Sequence, residues 1–407
     1  MISLRAVLVS AGMEPPISIL NDVLRNSAAM PTQSLRELLD FDGLGVDRTL
    51  NLLGWSGEAI AALHNTSPRL TNPHRNYLFW HKGQTHCHSD ESDGNNPPSE
   101  VEEQYRQKGY TFICLTDHDK ATCDPGIPGI LHIRSVESGD WCRHHLNALG
   151  IHGADQYIGN ALDEGSKSCE CDRIQLRIDK FTMAPVHATV ALNHPHASHS
   201  ANWTHIDCGE GWSYDELKNS GGYTGIEICN SGTLAVDWWD QVLVDGHPSC
   251  WGFATDDCHQ VYHDNKSFNR GWVVVNSVRS PQCYLDRRET ILQEDILNNI
   301  REGNFIAVAR SPDKREPRSS GTAGTGLKLR IGTLGDLIIV QTDPEGCCQF
   351  HGMTASGQFT RPADASNPNH AVYKLKGDEV FVRVEVEQTA DGELYRAYSQ
   401  PLMVRQM

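Results

Sequence analysis

The feature that most constrains the fold of this chain is a set of apolar runs, each of which ends in side chains able to bind a metal ion. Most of these runs have the length and composition of buried strands, so each delivers an imidazole or a carboxylate where the chain leaves the core. In chain order, the candidate ligands are His86, His88, Asp93, His118, Glu137, His145, His194, Asp257 and His259. Side chains so far apart in sequence are therefore expected to converge in space.

The first two runs end in histidines and aspartates. His86 and His88 lie two residues apart, and alternate residues of a strand share a face, so both can point at one ion. Asp93 is expected to return to them through the turn that Gly94 opens. An HxH pair alone is a weak signal, because a histidine on an apolar strand is more often an ordinary core residue. The run 112–115 then ends in Thr-Asp-His-Asp, which is how a barrel strand presents catalytic groups at its carboxyl end.

The three later runs end in a similar way. Glu137 ends the third run, and its two oxygens make it the natural bridge between two ions, although a surface salt bridge is the plainer alternative. His194 ends the fourth run before Pro195, which lacks an N–H and stops a strand ladder. Asp257 and His259 repeat the two-residue spacing after the fifth run. The repetition of one arrangement argues against coincidence.

Together these motifs resemble those of the polymerase and histidinol phosphatase (PHP) superfamily of metal-dependent hydrolases. They read HxHxxxSDG, TDH, a glutamate followed by a histidine, HP and DxH, in that order, over roughly residues 78–310. The resemblance implies an α/β fold, a distorted parallel (β/α)7 barrel. It also implies a centre of two or three divalent ions (Zn, Mn or Fe) at the carboxyl ends of the strands.

The resemblance further implies how the ligands divide among the ions. One ion would be held by His86, His88, Glu137 and Asp257. A second would be held by Glu137, His145 and His194, and a third by Asp93, His118 and His259. His144 stands beside His145 and Asp256 beside Asp257, and the family spacing favours the later member of each pair. The segments 226–230 and 238–243 are similar to the branch that includes carbaryl-type carbamate hydrolases.

Three regions are expected along the chain. Residues 1–75 are predicted to form a helical N-terminal extension, which would pack on the barrel or make an oligomer contact. Residues 76–310 are predicted to form the metallohydrolase barrel. After a linker at 311–326, short runs with β-type content predict a small β-sandwich-like domain over 327–407.

Two helices are specific predictions within these regions. A capping-box pattern at 34–37 predicts a helix start in the N-terminal extension. A second helix is predicted over 287–302, with Ile291, Ile296 and Ile300 on one face.

The composition restricts the partners and the location. A formal net charge of -17 over 407 residues argues against a nucleic-acid partner, because affinity for a polyanion comes chiefly from Lys and Arg. No stretch approaches the ~20 apolar residues of a membrane helix, so no membrane partner is expected. The 13 cysteines are typical of reduced thiols in a cytoplasmic protein. A small-molecule substrate is therefore expected, and a homo-oligomer is a further possibility.

The chemistry expected of such a centre is hydrolysis. Two ions that share Glu137 can hold a bridging water whose pKa falls toward neutrality, which gives a hydroxide nucleophile. Asp257 and His259 are expected to share protons with the leaving group. The catalytic set predicted from the sequence is therefore Glu137, Asp257 and His259.

Residues beside the ligand motifs are candidates to bind the substrate. Lys120 and Arg143 are expected to bind an anionic group, unless they are solvated surface charges. Trp141 is expected to face an apolar leaving group, or else to pack within its loop. Asn193 is expected near the substrate, where it would orient His194, and Asp117 would orient His118. The alternative for each of the two residues is plain hydrogen bonding at a strand end.

Three functions remain open on the sequence. The first hypothesis is a metal-dependent hydrolase of a small phosphoric ester. The second, which follows from the branch resemblance, is hydrolysis of a carbamate, carboxylic ester or amide. The third is a metal-binding module without turnover, which the intact ligand set disfavours.

Overall fold

The computed structural model describes a mixed α/β protein. The described residues are 70–77, 79–139, 144–151, 174–183, 186–195, 212–247, 249–262, 267–280, 289–310, 327–334, 336–343, 345–362, 370–390 and 392–405. The predictions for Trp141, Arg143, the capping box at 34–37 and the linker at 311–326 lie outside these residues.

The helices of the described residues are short to medium in length. They are α1 (Pro98–Gln107), α2 (Ile174–Thr182), α3 (Tyr214–Asn219), α4 (Val236–Val244) and α5 (Glu289–Arg301). None of them is long and apolar enough to cross a membrane.

Strands make up most of the remaining ordered structure. In the first half of the chain they are β1 (Leu70–Thr71), β2 (Phe79–Gln84), β3 (Phe112–Ile113), β4 (Leu131–His132), β5 (Ser135–Ser138), β6 (Leu146–Leu149), β7 (Thr189–Leu192), β8 (Gly225–Asn230) and β9 (Thr233–Leu234). They continue as β10 (Trp251–Thr255), β11 (Gly271–Ser277), β12 (Phe305–Arg310), β13 (Lys328–Leu334), β14 (Leu337–Asp343) and β15 (Cys347–Thr354). The last are β16 (Gly357–Pro362), β17 (His370–Lys374), β18 (Glu379–Ala390), β19 (Glu393–Ser399) and β20 (Leu402–Val404).

The largest sheet joins the two ends of the described chain. Its order is β1-β20-β18-β19-β12-β11-β2-β3-β4, with β15 paired to β18 and β16 paired to β15. The pairing of β12 with β19 runs from Ile306 opposite Ser399 to Arg310 opposite Tyr395. The sheet thus continues from the predicted barrel region into the predicted C-terminal β domain, and the boundary between the two stays a prediction.

A second sheet has the order β10-β8-β7-β6-β5, and β9 pairs with β8. Strand β8 is parallel to β7 and to β10, but β6 is antiparallel to β5 and β7. The expected parallel arrangement is therefore wrong for β6. The reason is the short connection between Ser138 and Leu146, because a parallel crossover needs a dozen or more residues.

The two sheets meet at isolated bridges, one between Cys87 and Cys258 and one between His118 and Glu137. These contacts are single residue pairs and not continuous ladders. The described strands therefore form open sheets that are joined by isolated bridges and by side-chain packing, which differs from the closed barrel expected from the sequence.

Helix α5 packs on the core with a different face from the one predicted. Leu292, Ile296 and Ile300 are fully buried, whereas Ile291 is 47% exposed. Leu292 lies four residues before Ile296 and shares its face, but Ile291 lies five residues before it and turns away. The helix was predicted, and the membership of Ile291 in its buried face is wrong.

The third sheet, β13-β14-β17, lies in the C-terminal part of the chain. Its apolar side chains join those of β15 and β18 in one core, and the rings of Tyr373 and Phe350 lie 5.3 Å apart between centroids. This core lies between β strands of two sheets, as in a sandwich.

Candidate metal centre

The candidate centre lies where the two large sheets touch. The backbone N–H of His88 donates to the carbonyl of Cys258 at 2.9 Å, and that of Asp257 donates to the carbonyl of His86 at 3.0 Å. The HxH and DxH segments therefore run side by side. Cys87 and Cys258, which alternate with the ligand candidates, are fully buried.

Gly94 allows Asp93 to return to the HxH segment. The N–H of Gly94 donates to Ser89 O at 2.9 Å, and a Cβ at this position would lie 2.7 Å from that oxygen and 2.8 Å from the carbonyl of His88. The turn is also held by Asp117, whose carboxylate accepts hydrogen bonds from Ser89 N and Oγ, both at 2.7 Å. Asp117 thus holds this turn by hydrogen bonds at the strand end, which is the alternative left open by the sequence, and an orienting role toward His118 stays a prediction.

Glu137 lies at the middle of the cluster. It is 1% exposed, and its Oε2 is 3.4 Å from His118 Nδ1. Its Oε1 is 3.1 Å from His145 Nδ1 and 3.5 Å from His194 Nε2. Because β6 is antiparallel to its neighbours, His145 before β6 and His194 after β7 reach the same edge of the sheet.

The tightest set of donors, here called the inner group, consists of His86, His88 and Asp257. The two Nε2 atoms lie 3.2 Å apart, and each lies 3.2 Å from Asp257 Oδ1 and 3.2 Å from Glu137 Oε2. Donors on a tetrahedral zinc ion at about 2.0 Å lie about 3.3 Å apart. The spacing of these atoms therefore fits one ion held between them.

Two further groups surround the inner group. The outer group, His88, Asp93, His118 and His259, and the lateral group, His118, Glu137 and His145, each bring donor atoms within 4.8 Å of one another. In the outer group, His259 Nε2 is 3.0 Å from Asp93 Oδ2. The side chains of Asp93 and His259 are 44% and 39% exposed, which makes the outer group the open side of the centre.

The charges within the cluster balance one another. Burial opposes a charge on His88, but the hydrogen bonds that its imidazole donates to Asp257 and Glu137 outweigh burial and raise its pKa to about 10. Burial likewise opposes a charge on Glu137, yet His86 and His145 hold its pKa well below the usual range. Protons on His86 and His88, whose pKa values are both raised by the neighbouring carboxylates, thus balance the charge of those carboxylates. A divalent ion would take the place of those protons and release them on binding.

Strained backbone marks the edges of the cluster. Asp119, His194 and Asp257 have φ values of 49°, 31° and 48°, in the left-handed region that residues other than glycine rarely adopt. Such conformations carry an energetic cost and concentrate at functional sites. Here they occur where the chain turns out of the strand ends that carry the ligand candidates.

The two ambiguous pairs differ clearly in their surroundings. His145 faces Glu137, whereas His144 Nε2 lies 3.1 Å from Glu216 Oε2. Asp257 faces the other two members of the inner group. Asp256 lies on the other side of the chain, where it accepts hydrogen bonds from the backbone N–H groups of Asn269, Arg270 and Gly271 at 2.6–2.7 Å. The later member of each pair is the one that points into the centre.

The predicted substrate-binding residues have different positions. Lys120 is 52% exposed at its side chain and forms an ion pair with Glu91 at the surface. Asn193 is fully buried, and its amide donates to Glu137 Oε1 at 2.6 Å and to Asn147 Oδ1 at 3.0 Å. Asn193 therefore contacts the central carboxylate, and its contact with a substrate stays a prediction.

Glu227, a residue that the metal-ligand motifs of the sequence do not include, lies in β8 directly behind the inner group. Glu227 is 1% exposed, and its Oε1 accepts a hydrogen bond from His86 Nδ1 at 2.7 Å. The sequence signal was a single acid within the apolar run 225–230, where a buried charge requires partners.

A fourth group of possible ligands lies apart from the centre, at Glu102, Asp124 and His132. His132 Nδ1 is 2.6 Å from Glu102 Oε1, and His132 Nε2 is 3.2 Å from Thr122 O. A separation of 2.6 Å is that of a strong hydrogen bond and is shorter than the ~3.3 Å between donors on a tetrahedral ion. This group is therefore a hydrogen-bonded pair that joins α1 to β4.

Comparisons with known proteins give structural similarity only. No protein-family model and no curated protein matches the chain. Among solved structures, the chain is similar to a two-domain protein from Bacteroides vulgatus that contains a predicted PHP-like metal-dependent phosphoesterase. The two share 16% identity and a TM-score of 0.41, over 84% of this chain and 99% of that one.

Two shorter structures are also similar. One is an amidohydrolase from Chromobacterium violaceum with bound sulfate and no metal, at 17% identity and a TM-score of 0.28. The other is a proposed metal-dependent phosphoesterase from Bifidobacterium adolescentis, at 15% identity and a TM-score of 0.30. Each comparison covers 44% of this chain and 87% of the other. These values are too low to argue from, so the function is derived from the side chains.

Proposed function

We propose that this protein is a metal-dependent hydrolase of the PHP type that cleaves a small phosphoric ester. The observation that carries the proposal is the convergence of five imidazoles, from four segments of the chain, on Glu137, with Asp257 beside two of them at donor separations that fit a metal ion. A buried cluster of charges is costly unless ions or protons balance it, and such clusters concentrate at functional sites.

The proposed ions are two or three divalent cations such as Zn, Mn or Fe. His86, His88, Glu137 and Asp257 would hold one of them, and Glu137 would share it with a second held by His145 and His194. Asp93, His118 and His259 would hold a third on the open side. Imidazole and carboxylate donors suit these metals.

When bound, such ions supply Lewis acidity toward a substrate oxygen and lower the pKa of water. The chain's own part is to hold its donors in place and to handle protons. The exposed position of Asp93 and His259 makes their side the route by which a substrate enters. His259 Nε2 lies 3.0 Å from Asp93 Oδ2 there, and it would pass a proton to a departing oxygen only with the third position empty, because ligation would occupy the same nitrogen.

Lys120 and Arg143 are proposed to bind the non-reacting oxygens of a phosphoric ester, and Trp141 to contact its apolar part. A second candidate is hydrolysis of a carbamate, carboxylic ester or amide. It is favoured by the ion pair of Lys120 with Glu91, because a lysine engaged at the surface is less available to an anionic substrate.

The proposal includes an overall arrangement for the chain. We infer a metallohydrolase region over 76–310, with open sheets in place of the closed barrel expected from the sequence, a helical extension before it and a small β domain over 327–407. A cytoplasmic location is part of the same proposal.

The test is turnover of two chromogenic substrates, an aryl phosphate and an aryl carbamate, by protein loaded with Zn or with Mn. We expect hydrolysis of the phosphate that is lost on chelation and restored by adding the metal back. Turnover of the carbamate alone would support the second candidate. Metal binding with no turnover of either substrate or of a broad ester panel would contradict a hydrolase and support a metal-binding module.

A further inference from the structure

Glu227 occupies a position from which it contacts three of the strand ends that build the centre. Its Oε1 accepts hydrogen bonds from His86 Nδ1 at 2.7 Å and from Thr255 Oγ1 at 2.8 Å. Its Oε2 accepts from the backbone N–H of His194 at 2.7 Å and from Asn230 Nδ2 at 2.8 Å. The carboxylate therefore has four donors around it.

We propose that Glu227 is the positioning residue that fixes the imidazole of His86 and so makes the inner group the tight metal position of the centre. The inference rests on the proposed metal centre. It adds a specific role for a residue that touches none of the reacting atoms.

The hydrogen bond to Glu227 determines which nitrogen of His86 faces the centre. A carboxylate can only accept hydrogen bonds, so the nitrogen that faces Glu227, Nδ1, must carry a proton. The other nitrogen, Nε2, then has its lone pair free for a metal and lies 3.2 Å from Asp257 Oδ1. A carboxylate behind a ligating histidine also raises the basicity of the ring.

The inner and outer groups differ in how far their side chains are exposed to water. His86 and His88 are buried at 0% and 1% exposure, whereas the side chains of Asp93 and His259 are 44% and 39% exposed. The Asp257 side chain of the inner group is 21% exposed, so water has less access to the inner group than to the outer one. An ion backed by Glu227 is expected to exchange more slowly than an ion at the open side.

Replacing the carboxylate of Glu227 by an amide is expected to change the position of the proton on His86. Glu227→Gln keeps the shape but leaves one acceptor oxygen and one NH2 group. The backbone N–H of His194 cannot become an acceptor, so the amide oxygen is expected to stay toward it and toward Asn230. The NH2 group then faces His86 Nδ1, which must accept its hydrogen bond. The ring proton therefore moves to Nε2, and a protonated Nε2 cannot bind a metal ion.

The experiment measures zinc binding to the full chain by competition with a chelator, together with zinc content by elemental analysis. We expect Glu227→Gln to weaken the tighter zinc position about 10- to 100-fold and to leave the weaker one within about twofold. A long-range ¹H–¹⁵N spectrum of the zinc-loaded protein should show His86 ligated through Nε2 in the unchanged chain and lose that signature in the variant.

Glu379→Gln is the matched control. Glu379 is also fully buried, and its carboxylate accepts from Tyr373 Oη, Lys376 N and Gly377 N at 2.7–2.8 Å, in the C-terminal region. The Glu379→Gln substitution removes a comparable buried carboxylate and leaves the residues of the centre unchanged. Zinc affinity should therefore change only in the Glu227 variant.

A double-mutant cycle with His86→Ala tests whether the effect passes through His86. In that background Glu227→Gln should change zinc affinity by less than about twofold; a full further loss would overturn the inference and indicate a general structural defect. Unchanged affinity in the single variant would also overturn it while leaving the metal centre intact. If the unchanged chain binds none of zinc, manganese and iron, the proposed function and this inference are both wrong.

Discussion

Removal of the Glu137 carboxylate is the perturbation that most directly tests the centre. Oε2 of Glu137 approaches His86, His88 and His118 at 3.2–3.4 Å, and Oε1 approaches His145 and His194 at 3.1 and 3.5 Å. The inner and lateral groups both depend on this residue. Glu137→Ala is therefore expected to empty at least two metal positions per chain.

The size of the effect follows from the burial of Glu137. Breaking a buried, hydrogen-bonded charge pair by removing one partner costs about 3–5 kcal/mol. Applied to a bound ion, this corresponds to about a 10²- to 10⁴-fold loss of affinity, since each ~1.4 kcal/mol is tenfold. Ions that are retained on dialysis at micromolar affinity would then be lost, and hydrolysis with them.

The assay is elemental analysis of dialysed protein, followed by turnover of the chromogenic ester with and without added metal. Glu379→Gln serves again as the control, because it removes a buried carboxylate outside the centre. Full metal content in Glu137→Ala protein that is folded by circular dichroism would refute the bridging role. Activity that persists without the metals would refute the hydrolase mechanism as well.

Three further predictions concern stability and substrate binding. Arg383 donates to Asp240 at 2.7 and 2.9 Å in a buried pair, so Arg383→Met should lower the free energy of unfolding by about 3–5 kcal/mol, measured by urea titration. His74 donates to Gln400 O, and its burial lowers its pKa from 6.5 to about 4. Between these two pH values the unfolded chain binds a proton at His74 that the folded chain does not, so the free energy of unfolding falls as pH drops from 6.5 toward 4. By pH 5 the loss in the free energy of unfolding that His74 contributes is about 2 kcal/mol. His74→Gln should abolish this loss in parallel melts at pH 8 and 5, and an equal pH dependence in the two proteins would contradict the prediction. Lys120→Ala should raise KM for an aryl phosphate more than for a neutral ester, and equal changes would remove it from the binding site.

Local patterns predicted the candidate ligands because each signal lies within a few residues. The HxH and DxH spacings place side chains on one face of a strand, and Gly94 marks the turn that returns Asp93. The direction of β6 was not predicted, since it depends on the pairing of strands far apart in sequence. His145 nevertheless reaches the centre, because an antiparallel strand brings its amino end to the edge where its neighbours have their carboxyl ends.

The buried face of α5 shows the same limit on a smaller scale. Periodicity predicted a helix, but the choice between Ile291 and Leu292 for the core depends on how the helix is rotated against β11 and β7. That rotation is set by packing, which the helical period alone does not contain.

The sequence by itself determined the chemistry of the strand ends, since the type and spacing of imidazoles and carboxylates are covalent properties of the chain. Only the tertiary structure decided which members of adjacent pairs face inward, that Glu137 touches donors from several segments, and that Glu227 backs His86. Those outcomes depend on long-range pairing and on the burial of each side chain. The physical reason is that a carboxylate or an imidazole takes its charge and its partners from the groups packed around it, and those groups come from distant parts of the chain.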